Sequence, residues 1–163
     1  HFWSPFFQAK VGTLGLSWVW AILYLGFLPS GMLVRRLSVP MGAETNFITL
    51  SLLLSGVGLS LVFVTVGIAA PLGALLIHEI GRGMFQPLTD SFVHHRVHSS
   101  YRATFGSLQS FLGRTGFAIV PFFVWIGIDG KPSTPETILF VWLLCGFTLI
   151  VGACLFWFVR PRT

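Results

Sequence analysis

The chain has 163 residues, of which 54% are hydrophobic and only 9% charged, with a mean hydropathy of +0.83. A soluble domain carries about 25% charged residues, so this inventory cannot build a water-facing surface. The net charge of +5 is spread singly or in pairs, without the basic stripe of a nucleic-acid binder, and its expected partners are anionic lipid headgroups.

Five long apolar stretches are separated by the charges, which predicts an all-α, polytopic membrane helix bundle occupying residues 1–163 as a single membrane domain. A segment inside lipid must satisfy its own backbone, which leaves helices or closed barrels. These runs are too long and too continuously apolar for barrel strands, which alternate faces over about ten residues. The segment Phe2-Trp3-Ser4-Pro5-Phe6-Phe7 reads as the interfacial end of an earlier helix, and suggests that the chain is truncated at its amino end.

The first span covers about 14–37, with Trp18 and Trp20 at headgroup depth, Arg35-Arg36 closing it, and a kink predicted at Pro29. After a polar loop, the second covers about 47–66, where Ser51, Ser55, Gly56, Gly58 and Ser60 form a small-residue face suited to close helix approach. The third, about 72–93, carries His78, Glu79, Arg82, Gln86 and Asp90. A hydrophilic loop then holds His94, His95, Arg96, His98 and Arg102. The fourth span, about 103–126, contains Arg114, and the fifth runs about 136–159, with Cys145 and Cys154 as small buried residues. Arg35, Arg36, Arg96, Arg102, Arg160 and Arg162 fall on one side of this alternation, against Lys10 and Lys131 on the other. The positive-inside rule makes the first side cytoplasmic, so the amino end of the chain is expected outside and the carboxyl end inside a cytoplasmic (inner) membrane.

An ionisable residue within a span costs roughly 2.5–3.5 kcal/mol on insertion scales and faces the bundle interior or a cavity. Glu79 and Arg82 are three residues apart and can pair on one face. They read either as a proton or cation site on a transport pathway or as a neutralising pair. His78, on an adjacent face, is a titrating group or a hydrogen-bonded packer, and Gln86 continues the polar track. Asp90 is expected to meet Arg114 or Arg102 across adjacent helices, as a gate or a static brace. His94 and His98 have the i, i+4 spacing of two metal ligands on one helix, but no third ligand accompanies them. The stretch is read as loop, with no metal, no cofactor and no catalytic set, so an enzyme is not expected.

Arg82-Gly83-Met84-Phe85-Gln86-Pro87, followed by Tyr101-Arg102-Ala103-Thr104-Phe105-Gly106-Ser107-Leu108-Gln109-Ser110-Phe111-Leu112-Gly113-Arg114, resembles the tenth helix, loop and eleventh helix of major facilitator superfamily transporters. Gly31-Met32-Leu33-Val34-Arg35-Arg36 resembles a degenerate copy of that family's glycine-rich loop. The resemblance implies family helices eight to twelve, most of the second six-helix bundle, with residues 1–13 following the seventh helix. It implies a partner, the missing amino-terminal six-helix half, and alternating access around a central path. The expected function is a fragment of a secondary transporter moving a small solute, with amphipathic drug-like compounds as the expected class, by proton-coupled efflux or antiport. The alternative is a membrane-bundle module that packs against a partner half and transports nothing alone.

Overall fold

A computed structural model describes residues 3–37, 39–127 and 134–159. These form five helices and no strands: α1 (Trp3–Arg36), α2 (Glu44–Val64), α3 (Ala69–Arg96), α4 (Ser99–Gly127) and α5 (Pro135–Val159). Lys131, Arg160 and Arg162 lie outside the described residues, as does most of the loop between α4 and α5.

Among the described residues, three helical segments are long and apolar enough to cross a membrane: Phe6–Arg36, Glu44–Val64 and Glu136–Val159. The polar residues of α3 and the polar opening of α4 set these two helices apart. Many large apolar side chains point outward, Leu14 at 88% and Trp18 at 74% exposure among them. Such a surface suits lipid better than water.

The helices extend past the expected spans. α1 begins at Trp3, and the described part of the opening aromatic segment forms a short helical stretch that a break separates from the main helix. Its break in helical dihedrals falls at Gly12 (φ 68°, ψ −178°), a left-handed φ that favours glycine. The helix continues through Pro29, where the Ser30 hydroxyl donates to the Phe27 carbonyl at 2.8 Å. The expected hydrophilic loop also shrinks. His94, His95 and Arg96 form the last turn of α3, and α4 starts at Ser99, leaving only Val97 and His98 between them. Arg102 stabilises this tight corner by donating to the His94 carbonyl (2.8 Å) and the Val97 carbonyl (3.0 Å), acceptors that the helix end leaves free.

Two apolar clusters show the helices running up and down. One joins Phe6 and Phe7 of α1 with Val62 of α2, Leu75 of α3 and Trp142 of α5. The other joins Val34 of α1, Ile48 of α2 and Leu88 of α3, with Phe156 of α5 packed against them. The first gathers the starts of α1, α3 and α5 with the end of α2, and the second gathers the opposite ends. Arg35, Arg36, Arg96 and Arg102 therefore share one end of the bundle, while Lys10 sits at the other and donates to the Gly67 carbonyl at 2.9 Å.

α2 occupies the centre, and its small residues divide between two neighbours. A Cβ on Gly81 of α3 would sit 2.5 Å from the Ser51 carbonyl oxygen, and one on Gly58 would sit 2.5 Å from the His78 nitrogen. Toward α5, a Cβ on Gly56 would lie 2.7 Å from the Gly146 carbonyl oxygen. α1 crosses α3 at Gly31, where a Cβ would lie 2.9 Å from the Gly83 carbonyl oxygen. Small residues let backbones approach and gain dispersion contacts where lipid supplies no hydrophobic drive.

Candidate functional site

α3 places the polar residues in three groups along its length. Near the middle, Glu79 is 7% exposed and accepts from Arg82 Nε at 2.8 Å, with a second guanidinium nitrogen at 2.6 Å. The guanidinium stacks over the Phe27 ring of α1, 4.4 Å from its centroid. The carboxylate is thus buried and neutralised while the arginine side chain stays half exposed. Buried ion pairs keep their charge only when geometry and hydrogen bonds compensate the lost hydration, and the fork of Arg82 supplies both.

His78 turns toward α2. Its Nδ1 faces the Ser55 carbonyl at 3.2 Å, which requires that nitrogen to carry the proton, and Ser55 Oγ donates back to the His78 carbonyl at 3.2 Å. This reciprocal pair fits the packing reading of His78.

Further along α3, Gln86 Nε2 donates to Asp90 Oδ1 at 2.8 Å. Both residues line a cleft of about 1410 Å³ bounded by α2, α3, α4 and α5, and Arg114 of α4 lines it too. Gln109 Nε2 spans the cleft to Thr89 Oγ1 at 3.5 Å. The structure brings Asp90 and Arg114 to one cleft but not into an ion pair, and Arg102 is engaged at the α3–α4 corner. Depth explains the separation. At 1.5 Å per residue, Asp90 lies about 9 Å from the end of α3 and Arg114 about 22 Å from the start of α4, an offset of roughly 13 Å along antiparallel helices.

The sequence reading missed Glu44. It opens α2 with its side chain fully buried, and its carboxylate meets His95 Nδ1, Arg96 Nη1 (3.2 Å) and the Gly42 backbone N–H (2.9 Å). Gly42 adopts φ 96°, a left-handed conformation that aims its N–H at the carboxylate. Arg96 also covers the Phe92 ring at 4.1 Å. The available signal was an acid in the first turn of a helix, where the dipole favours negative charge; its partners lie about fifty positions away.

The three histidines near the corner diverge: His94 is exposed, His95 goes to Glu44, and His98 Nδ1 lies 2.9 Å from Ser100 Oγ. Among the described residues no group of three or more metal-ligating side chains converges. No family model, curated protein or solved structure matches the chain.

Proposed function

We propose that the chain is part of a secondary transporter that moves a small amphipathic solute across a cytoplasmic membrane by alternating access. All five helices cross the bilayer, with the arginine-rich end of the bundle facing the cytoplasm. The observation that carries this reading is the buried Glu79 carboxylate, held by Arg82 in a helix flanked by apolar membrane-length helices. Ionisable residues within membrane helices are costly to bury and mark ion, proton or substrate paths. Arg82 joins Glu79 of α3 to the Phe27 ring of α1, so opening of the pair can be coupled to movement of α3 against α1.

Glu79→Gln, in the chain assembled with its complementary half in proteoliposomes, is expected to abolish solute flux driven by a pH gradient while leaving the amount of inserted protein unchanged. Undiminished flux would remove Glu79 from the mechanism.

A second reading, a bundle module without activity of its own, draws on α4. Its described side-chain bonds to α3 are those of Arg102 and Gln109, and a broad cleft separates the two helices beyond them. Co-expression with the missing half discriminates: restored flux favours the transporter, and assembly without flux favours the module.

A further inference from the structure

Arg114 stands about 22 Å along α4 from Ser99 and about 20 Å from Gly127, near the middle of the helix and out of reach of headgroups at either end. The chain has five acidic residues. Glu44 is taken by His95 and Arg96, Glu79 by Arg82, and Asp90 by Gln86, while Glu136 opens α5. Asp129 lies outside the described residues. Among the described residues, then, no carboxylate neutralises Arg114.

The cleft that Arg114 lines is walled by aromatic side chains, Phe85, Phe105, Phe111 and Phe156, with the amides and hydroxyls of Gln109 and Ser110 beside them. Ligand sites commonly measure about 300–1,000 Å³ and combine apolar walls with a few polar groups. At about 1410 Å³ this cleft admits a molecule of that size with room to spare.

We propose that the cleft binds an amphipathic organic monoanion, its acid group on the Arg114 guanidinium and its aromatic body among the phenylalanines. A planar guanidinium offers a carboxylate or sulfonate two parallel hydrogen bonds. Gln109 and Ser110 supply further donors. Asp90, which lines the same cleft, disfavours a second negative charge there and so selects a monoanion over a dianion. The inference deepens the transporter reading by naming its solute class. The binding itself does not depend on transport.

The test is calorimetric titration of the full chain in nanodiscs of neutral lipid with three matched probes: 2-naphthalenesulfonate, the uncharged 2-naphthyl methyl sulfone, and 2-naphthyltrimethylammonium. The sulfonate is expected to bind saturably and at least tenfold tighter than the other two. Arg114→Gln should lose that preference, Arg114→Lys should keep part of it, and Arg36→Gln at the exposed end of α1 should leave it intact. Unchanged sulfonate binding by Arg114→Gln, equal binding of sulfonate and sulfone, or no saturable binding would overturn the proposal. If the chain joined to its complementary half excludes the sulfonate while Arg114→Gln lowers its assembly, a partner carboxylate holds Arg114 and the proposal also fails. Selective binding without flux would sink the transporter reading and leave this site standing; flux of another solute without selective binding would do the reverse.

Discussion

Glu44 and Arg96 meet at 3.2 Å across the interface of α2 and α3, with the glutamate side chain wholly buried and the arginine side chain 24% exposed. His95 takes the other carboxylate oxygen. The contact fastens the start of α2 to the end of α3 at the arginine-rich end of the bundle, where Val34, Ile48 and Leu88 also pack.

Glu44→Ala should therefore destabilise the bundle. Removing one member of a buried pair costs about 3–5 kcal/mol, less when the remaining charge can reach water. His95 and Arg96 are both partly exposed, so about 1–3 kcal/mol is expected here. Thermal unfolding in nanodiscs would read it. Arg96→Gln should cost less, and the double variant should recover a coupling of about 1 kcal/mol. Equal melting of Glu44→Ala and the unaltered chain would show that the contact contributes nothing.

The glycines make opposite predictions at two sites. A Cβ at Gly56 would press on the Gly146 carbonyl oxygen, whereas one at Gly73 meets nothing within 4 Å. Gly56→Val should force α2 and α5 apart at a cost of about 1–3 kcal/mol. Gly73→Ala should leave stability unchanged or raise it by up to about 1 kcal/mol, because alanine loses less backbone freedom in a helix. Scanning both variants by thermal melting checks the packing. A destabilised Gly73→Ala beside an unaffected Gly56→Val would contradict the described interface.

How much of this was legible in the sequence follows from the range of the interactions involved. Helix positions were readable because apolar runs and their flanking charges are local. The pairing of Glu79 with Arg82 was readable for the same reason, being set by the geometry of one helix turn. The small-residue face of α2 announced close packing, but nothing local said that Ser51 and Gly58 face α3 while Gly56 faces α5. Glu44 was passed over because its partners come from the far end of another helix. The break at Gly12 was missed because proline was the stronger local signal, yet α1 accommodates Pro29 without leaving helical dihedrals. The loop before α4 was drawn too long because polar residues were equated with irregular backbone; here His94, His95 and Arg96 close a helix, where cations suit the dipole.

Orientation can be tested with single cysteines after replacing Cys145 and Cys154. Ser100 lies at the arginine-rich end, and Thr134 precedes α5 at the opposite end of the bundle. In sealed vesicles, a membrane-impermeant maleimide is expected to label Ser100→Cys and Thr134→Cys from opposite sides, with Ser100→Cys facing the cytoplasm. Labelling of both from one compartment would rule out the five-span arrangement.

Asp90 and Arg114 supply the most discriminating measurement for α4. They line one cleft, and a simple reading of adjacent helices would join them. Their offset along the helices and the Gln86 amide on Asp90 oppose that. A double-mutant cycle of Asp90→Asn and Arg114→Gln should return a stability coupling below about 0.5 kcal/mol, the level of independent sites. Each single variant should act by its own route: Asp90→Asn by loosening the Gln86 contact, Arg114→Gln by removing a charge that lines the cleft. A coupling well above that level would mean that α4 swings against α3 to close the cleft with a salt bridge. The offset would then belong to one state of a moving helix rather than to its resting geometry.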